Sequence, residues 1–185
     1  MALTGKTVLV TGSARRLGAA MVRGFHAQGA NVAIHYRTSA DAANALCDAL
    51  NADRPESAMT LRLDLADTAG LADLPGRVAA RFGALDGLVN NASSFYPTAV
   101  GEITEDNWND LFGSNAKAPA FLTQAAAPLL AATKGFVINM VDIHAQRPLA
   151  AHPVYCAAKA GLHMLTRAFA RELGPNVRVN GIAPG

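Results

Sequence analysis

Short β-branched runs alternate with longer helical stretches along the whole chain, and this alternation constrains the fold more than any other feature. "TVLVTG" (Thr7 to Gly12), "NVAIHY" (Asn31 to Tyr36), "MTLRLDL" (Met59 to Leu65), "GLVNNA" (Gly87 to Ala92), "FVINMV" (Phe136 to Val141) and "VRVNGIA" (Val177 to Ala183) read as strands. Several are apolar nearly throughout, as expected of strands covered on both faces. Helical segments are predicted at Leu17 to Gln28, Ala40 to Asn51, Leu71 to Phe82, Glu105 to Ala132 (as one piece or two) and Pro153 to Leu173. Ser39 and Thr104 are placed to cap helix starts, and Gly29 and Gly174 to end helices. A β-α-β-α order with crossovers this long implies a parallel sheet with helices on both faces. No linker, repeat or low-complexity stretch interrupts it, so residues 1–185 read as one doubly wound α/β domain.

The balance of residues narrows the partners. Of 185 residues, 51% are hydrophobic and 16% charged, which suits one sizeable core. The net charge of +2 is spread out, with Arg15-Arg16 the one adjacent basic pair, so no nucleic-acid stripe is expected. Cys47 and Cys156 lie far apart, match no metal spacing and read as thiols of a reducing compartment. No apolar run reaches the roughly 18 residues of a membrane helix. The start of the chain makes a poor signal peptide, since Thr11-Gly12 follow a short apolar run. A cytoplasmic protein without membrane, metal or nucleic-acid partner is the expectation.

The first strand runs straight into "TGSARRLG", where Gly12 and Gly18 bracket the turn into a helix. Glycines there let the backbone approach a pyrophosphate at a helix N-terminus, where free N–H groups and the dipole favour anions. A tight β-α turn needs glycine in any case, so the weight comes from its place between the first strand and helix. An NAD site usually offers Asp or Glu about 20 residues on, to accept from the ribose 2′-hydroxyl. Here the second strand ends in "HYRTS" (His35, Tyr36, Arg37, Thr38, Ser39), with no acid before Asp41. A cation with hydroxyl donors suits a 2′-phosphate, and Arg16 adds charge nearby, so NADP(H) is the expected cofactor. The plainer alternative is an Arg37 that simply faces solvent.

Pro153 suits the first turn of the helix carrying "YCAAK". Four residues apart, Tyr155 and Lys159 share a helix face. An unperturbed phenol has a pKa of about 10; a neighbouring ammonium is expected to lower it and make proton exchange feasible. On most helices such a pair is mere surface. Here it follows the fifth strand, whose carboxyl end carries Asp142, and ligands of open α/β sheets bind beyond such ends. The Asn90-Asn91-Ala92 turn occupies the end of the fourth strand.

With these pieces in place, the chain resembles the short-chain dehydrogenase/reductase family, a Rossmann-like fold. The matching pieces are "TGSARRLG", the Asp64-Leu65 pair, "NNA", Asn115 in "FGSNA", "YCAAK" and the final "PG", in family order over nearly the whole chain. The resemblance implies cofactor contacts from Gly12, Leu17, Gly18, Asp64, Leu65, Asn91 and Ala92, with Lys159 holding the nicotinamide ribose. Asn115 would bind a water in a proton relay, and Pro184 and Gly185 would sit beside the nicotinamide. Where Arg16 and Asp142 stand, the family commonly has glycine and serine. Both departures resemble its pteridine reductase branch, as do "NNASSFYPT", "HYRTS" and "INMVD", although the order around Arg37 and Thr38 differs. The branch implies pterin contacts from Arg16 and Ser93 and a stacking role for Phe95, with Ser93 also near the cofactor.

The expected function is therefore an NADPH-dependent reductase of pterins, with folate-like compounds as further substrates. A carbonyl or 3-oxoacyl reductase and a non-catalytic nucleotide sensor are the alternatives. A pterin presents amino and ring N–H donors that an Asp142 carboxylate can accept from, and Asp142 can hydrogen-bond Tyr155 to help pass a proton to ring nitrogen. Otherwise Asp142 caps its loop or pairs with Arg147. Phe95 lies in a polar loop, which favours a ligand-facing role over packing. Tyr96 and Trp108 read as packing residues, His144, His152 and His163 as solvent or loop residues, and His26 as a helix-face residue. Family members continue past Gly185 through a substrate-covering segment and a last strand, and assemble as tetramers. On that expectation, a chain ending at Gly185 would leave its sixth strand as an exposed edge and its cleft uncovered.

Overall fold

The computed structural model describes residues 2–184. Six strands form one parallel sheet: β1 (Thr7–Val10), β2 (Asn31–Tyr36), β3 (Ala58–Arg62), β4 (Gly87–Asn90), β5 (Phe136–Met140) and β6 (Arg178–Ile182). Their order is β3-β2-β1-β4-β5-β6, so the chain reverses direction across the sheet between β1 and β4. That reversal opens a crevice beyond the carboxyl ends of β1 and β4, the place where such sheets bind ligands. The doubly wound expectation holds.

Side chains alternate across the pleat and feed two cores. Leu9, Ala33, Leu61, Leu88 and Val137 point to one face, where Leu71, Leu74, Leu122 and Leu130 cover them. Val8, Val10, Val32, Ile34 and Val89 point to the other, packed by Val22, Ala43, Leu46 and Leu50. The covering helices are α1 (Arg16–Ala27), α2 (Ala40–Asp53), α3 (Thr68–Phe82), α4 (Glu105–Phe112), α5 (Ala118–Thr133) and α6 (Pro153–Leu173). A third, small cluster of Leu111, Val154 and Tyr155, flanked by Tyr96 and Phe112, seats the start of α6 against α4.

Several boundaries differ from expectation, and the differences have causes. Strands end earlier than their apolar runs because Thr11-Gly12 and Asn91-Ala92 leave the ladder to bond one another. The Asn91 and Ala92 N–H groups donate to Thr11 Oγ1 at 2.9 and 3.0 Å. Helix α3 begins three residues early because Asp67 caps it, accepting from Gly70 N at 3.0 Å. Thr104 caps α4 in a reciprocal capping box with Asn107. Ser39 occupies the cap position of α2 without a side-chain bond, and Gly174 ends α6 in an extended rather than left-handed conformation. The long segment from Glu105 is neither one helix nor two clean ones: a π-turn, Gly113–Lys117, joins α4 to α5. His26 is buried rather than a simple face residue; its Nε2 lies 2.8 Å from Ser57 Oγ. No described helix is long and apolar enough to cross a membrane.

Candidate active site

The turn after β1 is built for close backbone approach. Gly12 has φ +59°, and a Cβ on it would meet Ala92 at 2.9 Å. A Cβ on Gly18 would lie 2.7 Å from the Gly12 carbonyl oxygen and 2.8 Å from the Asn91 side-chain nitrogen. Both positions need glycine. Arg16 also has a positive φ, +51°, which is why glycine is the easier residue there and why an arginine at that position is costly. Asn91 Nδ2 donates to the Thr11 and Gly12 carbonyls at 2.9 and 3.1 Å, locking the β4 end to the turn. The Arg15 cap of α1 makes no side-chain bond, so no cap occupies the N-terminal donors of that helix.

A cleft of about 690 Å³ opens beside this turn. It is lined by Arg16, Leu17, Gly18, Tyr36, Arg37, Thr38, Ser39, Asp64, Leu65, Asn91, Ala92 and Ser93, all of them expected cofactor positions. Asp41 does not line it. The glycine cradle, the uncapped helix start and a rim carrying Arg16 and Arg37 fit a dinucleotide. Gly12 and His35, also expected there, line the cleft as well, His35 from behind the turn. His35 is 1% exposed; Nδ1 accepts from Gly12 N at 3.0 Å and Nε2 donates to the Leu63 carbonyl at 3.1 Å. Burial pushes its pKa down to about 4, so it stays neutral and braces the turn instead of offering charge to a phosphate. Pro184 is exposed near the end of β6, and Gly185 lies outside the described residues.

The residues expected to carry the chemistry do not line that cleft; they gather beyond Ser93. Asp142 follows β5, and its Oδ2 accepts from the Tyr155 hydroxyl at 2.5 Å. Its Oδ1 accepts from His144 N at 2.9 Å, capping a short 3₁₀ turn. The acid thus does both jobs, capping the loop and holding the phenol, and no ion pair to Arg147 forms among the described residues. Burial pushes the Asp142 carboxyl up, but the His144 N–H, the Tyr155 hydroxyl and nearby positive charge outweigh it and hold the pKa below the usual value.

The expected lowering of the phenol pKa beside Lys159 is not seen. Lys159 Nζ donates to the Met140 carbonyl at 2.8 Å and sits 5.7 Å from the Tyr155 ring centroid. Burial pulls the Lys159 pKa down to about 8, against the Asp142 charge, which raises it. Burial, followed by the bond to Asp142, pushes the Tyr155 pKa well up rather than down. The arrangement is a neutral phenol donating to a carboxylate, with a buried amine behind it.

Asn115 lies in the π-turn, fully buried, with Nδ2 donating to the Ser94 and Leu111 carbonyls at 2.9 and 3.0 Å. Its Oδ1 accepts from Ser93 Oγ at 2.7 Å, which ties the loop after β4 to the junction of α4 and α5. Such π-turns recur at functional sites, and sequence periodicity passed over this one. Phe95 stays 57% exposed, edge-on to Tyr155 at 4.8 Å and stacked on His152 at 4.8 Å. Sequence reasoning missed His152 here, and also Thr11, whose hydroxyl joins the tips of β1 and β4; the local "VTGS" was its only signal. Tyr96 donates to Asp110 Oδ2 at 3.0 Å and Trp108 stacks on Phe112 at 4.4 Å, both packing roles. Among the described residues no metal-binding cluster is found.

A parallel sheet with this crevice, a glycine-cradled cleft and a Tyr-Lys pair beside it defines a dinucleotide-dependent oxidoreductase. A family model of short chain dehydrogenases matches residues 6–185, and the chain belongs to that family, whose members use NAD(P)(H). Pteridine reductase 1 of Leishmania tarentolae is 39% identical over 98% of this chain and 76% of its own length. Sorbitol dehydrogenase of Cereibacter sphaeroides is 36% identical over 100% of this chain and 72% of its own. L-xylulose reductase of Bos taurus is 35% identical over 98% and 72%.

Proposed function

We propose that this oxidoreductase uses NADPH to reduce a pterin, with folate-like compounds as further substrates. The observation that carries the reading is the 2.5 Å bond from Tyr155 to Asp142. A ketone needs its oxygen held and one proton delivered, and a serine hydroxyl beside the tyrosine suffices for that. A carboxylate is suited to a substrate with amino and ring N–H donors, which it can accept from while staying ionised. Exposed Phe95, edge-on to Tyr155, offers a flat ring a face to stack on.

Bound NADPH would supply the hydride, with Arg37, Thr38, Ser39 and Arg16 holding the 2′-phosphate and Gly12, Leu17 and Gly18 the pyrophosphate. Tyr155 is the proton donor. The phenol is protonated at neutral pH, and its hydroxyl, released from Asp142 Oδ2, would give its proton to the ring nitrogen of the C=N bond. Negative charge then grows on the Tyr155–Asp142 pair. The Lys159 ammonium, 5.7 Å from the phenol ring, balances it. Ser93, bonded to Asn115 at 2.7 Å, connects this pair to the buried side of the site, where a water relay can restore the proton.

A second reading, carbonyl reduction, draws on the relatives named sorbitol dehydrogenase and L-xylulose reductase. Asp142 and Phe95 weigh against it. Following NADPH oxidation with a biopterin, a dihydrofolate and a simple ketone side by side separates the two. Turnover of the ketone alone would overturn the pterin reading.

A further inference from the structure

The segment before α6 carries an unusual local arrangement. Ala151 has φ +59°, a left-handed conformation uncommon for a residue with a side chain, and it persists only where its surroundings hold it. Two contacts depend on it. The Ala151 carbonyl accepts from Thr98 N at 2.7 Å, clipping the loop after β4 to this segment. The next residue, His152, places its ring parallel to Phe95, with centroids 4.8 Å apart and planes inclined by 12°.

The His152 ring is itself fixed. Its Nδ1 lies 2.8 Å from the Ala150 carbonyl, which has no proton to give, so Nδ1 is the donor and the imidazole plane is set by the backbone. Phe95 therefore rests against a held ring on one face and against the Tyr155 ring at 78°. With one face covered, the side chain is still 57% exposed, which leaves its opposite face to a ligand. Neither ring contact of Phe95 is needed for the core: among the described residues Phe95 joins no buried cluster.

We propose that His152 is a positioning residue that fixes the Phe95 ring, so that the site selects flat heteroaromatic substrates over acyclic or sugar-like ones. The substrate half of this rests on the pterin reading; the clamp itself does not. A ring free to rotate would offer a stacking face only part of the time, weakening aromatic substrates selectively. The effect falls on substrate binding, because His152 has no contact with the Asp142–Tyr155 oxygens that move the proton.

Two readouts test it on the full chain. 4-Fluorophenylalanine placed at position 95 reports ring freedom by fluorine NMR without any substrate. His152→Ala should move its signal towards the solvent-exposed value, and His152→Phe should keep it near the wild-type position. An unchanged signal in His152→Ala overturns the clamp. In turnover, His152→Ala should raise KM for a biopterin roughly three- to tenfold, the scale of one ring–ring contact, with kcat moving far less. His152→Phe should rescue it and His152→Gln, polar but without a ring, should not. KM within twofold of wild type in His152→Ala, or full rescue by Gln, overturns the selection role. If wild-type protein turns over no pterin, the pterin reading falls and the fluorine signal still decides the clamp.

Discussion

The two halves of the site are built by different means. The half around β1, α1 and β2 is mostly backbone: a left-handed Gly12, a Gly18 with no room for a Cβ, an uncapped helix start and a neutral His35 as brace. The half around β5 and α6 is a set of side chains drawn from across the chain: Tyr155 donates to Asp142, Ser93 donates to Asn115, and Lys159 is tethered to the Met140 carbonyl. Backbone sites tolerate little change of shape but are indifferent to pH while their brace stays neutral. Side-chain sites tolerate conservative change of shape and respond strongly to charge.

The sharpest way to break that contrast is to remove a proton-handling group without changing its shape. Asp142→Asn and Tyr155→Phe should each keep the fold and NADPH binding while cutting pterin turnover about 10²-fold or more, the usual scale for losing a proton-transfer group. Asp142→Ser should lose pterin reduction and keep the cofactor. Steady-state kinetics beside cofactor titration reads both. Pterin turnover in Asp142→Asn within a few-fold of wild type would make the acid a loop cap and nothing more.

While His35 stays neutral, the cofactor half should answer to charge at its rim. NADPH is expected to bind more tightly than NADH, and Arg37→Ala should erase most of the gap. One charge-assisted contact is worth about 1.5–3 kcal/mol, roughly ten- to a hundredfold in affinity. Titrating both nucleotides into both proteins settles it, and equal affinities in the wild type would remove the case for a 2′-phosphate site.

How far the sequence foretold each half follows the same division. Periodicity, glycine spacing and the absent acid after β2 are local signals, and they located the sheet, the turn and the cleft residues. The bracing role of His35 was not legible because it depends on Leu63 and Gly12, neither of which is near it in the chain. Spacing put Tyr155 beside Lys159 but could not say that the Lys159 amine donates to the Met140 carbonyl, or that burial and Asp142 reverse the expected shift of the phenol. The π-turn at Asn115 and the His152–Phe95 stack were hidden for the same reason: partners distant in sequence decide them.

The His35 brace gives the backbone half its own pH limit. Its folded pKa of about 4 lies below the ordinary 6.5, so the folded state binds fewer protons than the unfolded between those values. The contribution is complete above about pH 6.5 and is lost as pH falls toward 4, amounting to about 2 kcal/mol by pH 5. His35→Gln can accept from Gly12 and donate to Leu63 without titrating. Its melting temperature should therefore fall less between pH 7 and pH 5 than that of the wild type. Parallel losses in the two proteins would assign the acid sensitivity elsewhere.

The side-chain half should fail at the opposite end of the scale, and here activity and stability part company. Lys159, with its pKa pulled down to about 8, loses its charge above that pH, and with it the cation that, in the proposed mechanism, balances the Tyr155–Asp142 pair during proton transfer. Pterin kcat/KM should fall roughly fivefold between pH 8 and pH 9 and approach tenfold per unit beyond, the course of a single deprotonation. The same group works the other way on the fold. Folding disfavours the buried ammonium, so the unfolded chain holds the proton more strongly, and stability from this group rises as pH climbs from about 8 toward 10.5. A decline in rate over that range therefore cannot be unfolding through Lys159. Lys159→Arg, charged throughout, separates the effects further: whatever its absolute rate, its profile should stay flat past pH 9. A wild-type profile level to pH 9, or a limb that persists unmoved in Lys159→Arg, would show that the ammonium is a structural tether to β5 and takes no part in the chemistry.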